Sequence, residues 1–84
     1  MKDILLYFLT PLVDNPYDIA IDEQSGERDS IMLTIHCNPE DMGKVIGKNG
    51  RIIRALRDLM KLLATKKGIY LDVTIADDNR PVVE

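Results

Sequence analysis

Cysteine and histidine are almost absent from this 84-residue chain, which has one of each, Cys37 and His36. Because a disulfide needs two cysteines, none can form within the chain, and the sequence favours a reducing cytoplasm. One cysteine and one histidine also cannot supply the four ligands of a structural zinc site. We predict that His36 is a solvated strand residue and that Cys37 packs in the core. The sequence therefore indicates no metal, no cofactor and no enzyme active site.

Long hydrophobic runs are missing as well. The apolar run at residues 4–13 has ten residues, whereas a helix that spans a bilayer needs about twenty. Asp3 precedes this run and Pro11 interrupts it. No small-residue cleavage pattern follows, so the run does not resemble a secretory signal. We therefore predict a core-facing helix here and no association with a membrane.

What remains is the composition of an ordinary small globular domain. Hydrophobic residues make up 45% of the chain and charged residues 30%. We predict a single domain over residues 1–84, with a flexible tail at residues 77–84. Because a chain of this length buries only about 60% of its surface, its stability should be modest.

Positive charge is concentrated in one segment. Residues 42–68 contain eight lysines or arginines and one acid, a net charge of +7. The rest of the chain contains three basic residues and thirteen acids, a net charge of −10. Although the whole chain carries −3, this separation creates a local positive field that can attract a polyanion.

Hydrophobic periodicity predicts six elements in the order α-β-β-α-α-β. Residues 1–14 show helical spacing, with Asp3 as the N-cap and Pro11 near the end. Residues 17–37 alternate as two strands of a hairpin, and residues 69–76 alternate as a third strand. The residues expected on the buried face of the first strand are Tyr17, Ile19 and Ile21.

Two helices are predicted between the second and third strands. Asn38 is placed to cap the first of them, which ends at Gly47. The second begins after Gly50 and ends at Gly68, with two lysines in its last turn. Three strands that each have one apolar face need a layer of helices over that face. The sequence therefore predicts an α+β two-layer sandwich, in which three helices cover one face of a three-stranded sheet.

The stretch VIGKNG, residues 45–50, lies within the positive segment. Only Lys48 and Asn49 separate Gly47 from Gly50, so the turn between the two helices must be tight. Its spacing fits neither the nucleotide P-loop nor the dinucleotide fingerprint. Two interpretations stay open: N–H groups at the start of the second helix grip a phosphate backbone, or the glycines are only cap and turn residues.

The stretch VIGKNGRII resembles the signature of the K-homology (KH) family. In that signature an apolar pair precedes G-x-x-G, and an apolar residue follows two positions after the second glycine. The predicted order α-β-β-α-α-β resembles the type II KH arrangement. The stretches PLVDNP and NPEDMGKVIGKNGRIIRALR resemble the KhpA-like group of small bacterial KH proteins. The resemblance covers almost the whole chain.

The resemblance implies a single-stranded RNA-binding protein whose G-x-x-G loop grips the backbone of about four nucleotides. It also implies an RNA chaperone that acts with a second KH protein, KhpB, in post-transcriptional regulation, cell-wall homeostasis and cell-length control. The residues that take the clamp positions are Gly47, Lys48, Asn49 and Gly50, with Ile46 and Ile52 packing the two helices. The RNA-binding residues added from charge and helical geometry are Lys44, Arg51 and Arg54. Because aromatic residues are only 5% of the chain, base stacking should be limited and the affinity weak.

The second central helix has an unusually wide apolar face. Its predicted stripe consists of Ile52, Leu56, Leu59, Met60 and Leu63. Either this helix is simply sandwiched between the sheet and the N-terminal helix, or one flank, at Ala55 or Leu62, pairs with another KH protein. The resemblance favours pairing, as a homodimer or a heterodimer. The alternative to RNA binding is a protein-interaction or dimerisation subunit in which the G-x-x-G loop is only structural.

Overall fold

The computed structural model describes residues 1–76, so the predicted tail at residues 77–84 lies outside the described residues. Its helices and strands, in chain order, are α1 (Lys2–Leu9), β1 (Ala20–Ser25), β2 (Ser30–His36), α2 (Met42–Ile46), α3 (Arg51–Lys66) and β3 (Tyr70–Ile75). The predicted order α-β-β-α-α-β and the α+β class are therefore confirmed. Within residues 1–76, no helix has both the length and the apolar character that crossing a membrane requires.

The three strands form one sheet in the order β1-β2-β3. β1 and β2 are an antiparallel hairpin, as predicted, whereas β2 and β3 are parallel. Parallel neighbours need a crossover connection, which α2 and α3 supply. The strand residues buried beneath the helices are Leu33, Ile35, Leu71 and Val73. Their alternation along the strands confirms the predicted two-layer arrangement.

The lone cysteine and histidine lie on opposite sides of this sheet. Cys37 is buried in the core, as predicted. His36 is on the outer face but only half-exposed, and its Nε2 lies 2.9 Å from Asp22 Oδ2 on the neighbouring strand. The predicted position of His36 on a strand is thus confirmed, whereas its predicted exposure to solvent is confirmed only in part.

α1 is shorter than the predicted helix over residues 1–14. After eight residues it gives way to a 3-10 turn, Thr10–Leu12. Pro11 has no N–H to donate, so the α-helical hydrogen bonds stop there. Asp3 lies in the first turn, where its charge suits the helix dipole. Met1 holds the N-cap position and no side chain caps the helix, so the predicted capping role of Asp3 is wrong.

The first strand begins three residues later than predicted. Pro16–Asp18 forms a 3-10 turn instead, because proline fixes φ and cannot donate to a strand ladder. Tyr17 consequently points to solvent and is 100% exposed, so its predicted place on the buried face is wrong. Ile19 and Ile21 are half-buried against the core, as the alternation predicted.

α3 packs through one stripe against β3 and α2. The buried residues of this stripe are Ile53, Leu56, Met60 and Ala64. Leu59, which the sequence placed within the stripe, is 36% exposed, and Leu62 is 63% exposed. Leu59 therefore lies outside the buried face of α3. Because α3 contacts the sheet on one side only, part of its wide apolar face stays exposed to solvent.

Candidate nucleic-acid interface

α2 leads into the glycine loop and contains only five residues. A helix this short has little stability of its own, so neighbouring contacts must hold it. A 3-10 turn, Pro39–Asp41, precedes it, and the side-chain oxygen of Asn38 accepts the Glu40 N–H at 2.8 Å. The predicted capping role of Asn38 is confirmed, and the capped turn continues directly into α2.

A second contact comes from Asp41, whose side chain is fully buried. Its Oδ1 accepts the backbone N–H of Asp14 at 3.1 Å. Its Oδ2 accepts the backbone N–H of Asn15 at 2.9 Å and the side-chain Nδ2 of the same residue at 3.1 Å. One carboxylate thus fastens the connection between α1 and β1 to the start of α2. Sequence reasoning missed this role, because the partners lie 26 and 27 positions away. Asn15 followed by Pro16 is typical of a turn, but it does not point to Asp41.

We expect the fold to lose stability at acidic pH because of Asp41. Burial alone would raise the pKa of this carboxyl, but the hydrogen bonds from Asp14 and Asn15 and the charge of Lys44 outweigh it and hold the pKa below its usual 3.8. A carboxyl whose pKa is lowered by folding stabilises the folded chain above its unfolded pKa. That contribution is lost as the pH falls through the folded value, so the urea midpoint of unfolding should drop below about pH 4.

Asp41→Asn tests this, because the amide keeps the shape and removes the charge. We expect this variant to have a lower urea midpoint than wild type at neutral pH and a flatter profile between about pH 5 and pH 3. Asp58→Asn, which changes an exposed carboxylate on α3, is the control and should follow wild type. An acid profile of Asp41→Asn that matches wild type would contradict the assignment.

The loop from Gly47 to Gly50 turns the chain from α2 into α3 with positive φ angles. They are +77° at Gly47, +58° at Asn49 and +74° at Gly50. With a ψ of 171°, Gly47 lies in a region that is essentially restricted to glycine. A Cβ at this position would also lie 2.6 Å from the side chain of Ile52. Gly47 is therefore required both by its backbone and by the close approach of Ile52.

Gly50 is constrained much less than Gly47. The nearest side-chain atom to a Cβ at Gly50 belongs to Ile53 and is 4.0 Å away, so only its left-handed backbone favours glycine. Between the glycines, Lys48 and Asn49 are exposed beside the N-terminus of α3, where N–H groups and the helix dipole favour an anion. The two interpretations of the loop are thus compatible: Gly47 can be required by the fold while the loop also binds an anion.

The basic residues near the loop differ in whether they form an ion pair with an acidic side chain. Lys44 places its Nζ 2.6 Å from Asp14 Oδ2 and 3.8 Å from Asp41 Oδ1, and the hydrogen bond to Asp14 raises the pKa of Lys44. Near the loop, the exposed basic residues that form no ion pair within residues 1–76 are Lys48, Arg51 and Arg54. Around the loop, the uncompensated positive charge therefore lies on the loop itself and the first turn of α3 rather than on α2.

The remaining predicted residues lie on the two helices. Ile46 and Ile52 are half-buried and pack against the core on either side of the loop. Farther along α3, the predicted partner residues Ala55 and Leu62 are both exposed, and Leu59 lies between them. Their spacing of four and three residues places all three on one side of the helix. We call this set the α3 stripe.

A concavity of about 620 Å³ lies at the other end of α3, between the C-terminal turns of that helix and the β1–β2 hairpin. Lys61, Thr65 and Tyr70 are among the residues that line it, and no residue of the glycine loop does. The candidate interface is therefore an exposed surface that would contact an extended ligand, rather than a pocket that would enclose a small molecule.

Comparison with known proteins relates the chain to one family. The model of the family described as "KhpA/KhpB, KH domain" matches residues 2–75. The RNA-binding protein KhpA of Clostridium perfringens is 46% identical over 75 residues, which cover 89% of this chain and 99% of the relative. The RNA-binding protein KhpA of Chlamydia caviae is 37% identical over 78 residues, covering 93% and 99%. No solved structure matches. Since both the family model and these relatives span nearly all of the described residues, the chain belongs to the KhpA/KhpB family of KH domains.

Proposed function

We propose that this protein binds single-stranded RNA through the loop Gly47–Gly50. The proposal depends on one observation: a loop with three positive φ angles precedes α3, beside three exposed basic side chains that form no ion pair within residues 1–76. A phosphate over the loop would receive N–H hydrogen bonds, the positive end of the helix dipole and charge-assisted contacts together. The two relatives described above carry the name RNA-binding protein, which supports this choice of polyanion.

The residues of the site have different tasks in this proposal. The loop backbone and Lys48 contact phosphate, and Arg51 and Arg54 extend the positive surface along α3. Ile46 offers apolar contact beside the loop. Lys44 contributes less, because an aspartate already holds its ammonium. With so few aromatic residues in the chain, the affinity of one domain should come mainly from the RNA backbone and depend strongly on salt.

The salt dependence tests these tasks residue by residue. On a single strand, each neutralised phosphate adds about 0.7 to the slope of log affinity against log salt concentration. Lys48→Met should lower that slope by about 0.7. Lys44→Met is the matched variant and should lower it less. Fluorescence anisotropy with a labelled oligouridine measures both, and an unchanged slope for Lys48→Met would contradict a phosphate contact there.

The wider role that we propose is that of an RNA chaperone in the bacterial cytoplasm. It would act with a KhpB-like KH protein, or as a homodimer, in post-transcriptional regulation, cell-wall homeostasis and cell-length control, as the KH resemblance implies. The family description, which names KhpB beside KhpA, and the exposed α3 stripe support a partner of this kind. Joining two weak RNA sites in one dimer would raise the affinity by avidity.

Leu62→Lys should weaken this association. Leu62 is 63% exposed, so the substitution places a charge in the α3 stripe without disturbing the core. We expect light scattering to show a lower mass than wild type, both for the protein alone and when it is mixed with a KhpB-like protein. Thr74→Lys, at an exposed position of β3 and outside α3, is the control. Equal masses at every concentration would show that the stripe is not the interface.

A protein-interaction subunit with a structural loop is the second candidate function. The close approach of Ile52 to Gly47 favours it, since this contact explains the glycine without any RNA. Under this alternative, substitutions at Lys48 leave RNA affinity unchanged, and Leu62→Lys removes the association with the partner protein, which is then the function of the chain. The same two sets of measurements therefore separate the two candidates.

A further inference from the structure

The two edges of the sheet differ in how their backbone groups are satisfied. β3 forms one edge, where Arg57 Nε donates to the Val73 carbonyl at 3.1 Å and Asp72 Oδ1 accepts the Val73 N–H at 2.9 Å. Side chains thus occupy both polar groups of Val73. Such cover is one way in which proteins close a strand edge to other chains. Within residues 1–76, β1 forms the other edge and has no equivalent cover.

The hydrogen-bond pattern identifies which groups of β1 face outward. The Gly26 N–H donates to the Ser30 carbonyl at 2.8 Å and closes the hairpin. Antiparallel pairs alternate between bonded and non-bonded, so the register places Ala20, Asp22 and Gln24 in the pairs bonded to β2. The bond from Ala76 to the Ile35 carbonyl agrees, since odd-numbered residues of β2 then turn toward β3. The β1 residues whose N–H and C=O groups face outward are Ile21, Glu23 and Ser25.

A notch lies beside this open edge, between α1 and β1. Its volume is about 180 Å³, and Leu6, Ile19 and Ile21 form its apolar walls, with Lys2 and Asp3 completing the lining. Leu6 is 39% exposed there. The side chain of Ile21 points to the helical side of the sheet. A residue paired with Ile21 on an added strand would point the same way, so an aliphatic side chain at that position would enter the notch.

Charge determines which kind of strand fits this edge. Asp22 and Glu23 are exposed in the middle of β1, where Asp22 Oδ2 also lies 2.9 Å from His36 Nε2. Asp3 is exposed beside Lys2 at the start of α1. A second copy of β1 would set these carboxylates against one another, and RNA phosphates would meet the same repulsion. A strand that carries lysine or arginine opposite Asp22 and Glu23 would meet complementary charge.

We propose that the β1 edge binds an extended basic segment of a partner protein by strand addition. The segment bonds its backbone to the outward groups of β1, inserts one aliphatic side chain into the notch and sets basic side chains against Asp22 and Glu23. No residue of the glycine loop or of the α3 stripe takes part. In this proposal a polyanion and a basic peptide bind separate surfaces, so a substitution that removes one interaction should leave the other unchanged.

A six-residue probe written for this register tests the proposal. In antiparallel pairing, acetyl-Thr-Thr-Lys-Lys-Ile-Thr-amide sets its lysines opposite Glu23 and Asp22 and its isoleucine opposite Ile21. Hydrogen exchange, followed by NMR on the full chain at saturating probe, gives the most specific result. The amides of Ile21, Glu23 and Ser25 should slow about tenfold, whereas those of Asp22 and Gln24, already bonded to β2, should change little.

Matched variants distinguish backbone hydrogen bonding between the probe and β1 from simple charge attraction. N-methylation of the probe isoleucine removes one ladder donor and keeps the charge, so binding should weaken about fivefold. Glu23→Lys should weaken binding to a similar degree. Glu27→Lys makes the same change in charge at the hairpin tip and should have about one-half of that effect or less.

Three results would overturn the proposal. One is probe binding that slows exchange uniformly or at the glycine loop, without alternation along β1. Another is slowed exchange along β1 that grows with protein concentration in the absence of probe, which would make a second copy the occupant. The third is oligouridine that produces the alternating pattern, which would make RNA the occupant of the edge.

Discussion

Replacing Lys48 and Asn49 by aspartate is expected to abolish binding of single-stranded RNA while the chain stays folded. Both side chains are exposed, and aspartate tolerates the left-handed backbone at position 49 nearly as well as asparagine does. A hydrogen bond to a charged group contributes about 1.5–3 kcal/mol, and the new carboxylates would also repel phosphate. The affinity should therefore fall by about 100-fold or more.

Anisotropy with labelled oligouridine measures this loss, and circular dichroism checks the fold. The control is Gln24→Asp with Arg28→Asp, which makes the net charge more negative by the same three units on the β1–β2 hairpin, away from the loop. If both double variants weaken binding equally, only net charge matters and the loop is not the site. If neither weakens it, the RNA-binding proposal is wrong and the interaction-subunit alternative is favoured.

Gly47→Ala should be among the most destabilising single substitutions in this chain. The Gly47 backbone lies where a residue with a side chain is strained by about 1–3 kcal/mol, and the added methyl group would overlap Ile52, whose nearest atom is 2.6 Å from the Cβ position. Overpacking of this kind adds about 1–3 kcal/mol. We expect the free energy of unfolding, from urea titration, to fall by about 4 kcal/mol.

Gly50→Ala is the matched control three residues away. It has a similar φ, +74°, but nothing close to its Cβ position, so it should cost about 1–2 kcal/mol. Should Gly47→Ala fail to fold, the Ile52→Ala background removes the Cγ1 and Cδ1 contacts at 2.6 and 2.9 Å but keeps the Ile52 Cβ at 2.9 Å, along with the backbone strain. There the cost of Gly47→Ala should fall, but by less than about one-half. Equal costs for the two glycines in the wild-type background would contradict the close approach of Ile52.

The features that the sequence predicted well are local ones. Alternation with a period of two located β2 and β3 and the buried residues Leu33 and Val73, because side-chain direction in a strand depends only on neighbouring positions. Asn38 was identified as a cap because its acceptor faces an N–H two residues ahead. The tight loop between two helices followed from the spacing of Gly47 and Gly50, since little chain separates them.

The features that sequence reasoning missed depend on contacts between distant positions. Lys44 looks like a free cation next to the loop, yet its ammonium is held by Asp14, thirty positions away. Asp41 looks like an ordinary first-turn acid, but tertiary packing buries it completely. Tyr17 is a local exception, since it fits the alternation of the following strand but lies in the 3-10 turn that begins at Pro16. Side-chain periodicity carries no information about the partners of Lys44 and Asp41.

The parallel pairing of β2 with β3 has a consequence for biosynthesis. Ser30 pairs with Tyr70 and Ile35 with Ile75, so each pair closes a stretch of forty residues, and contacts this distant form late. On the ribosome, α2 and α3 emerge before the strand that α3 must pack against. We expect α2 and α3 to be held in place only once β3 has left the exit tunnel. A nascent chain whose β3 is still inside the tunnel should therefore not yet have an ordered glycine loop.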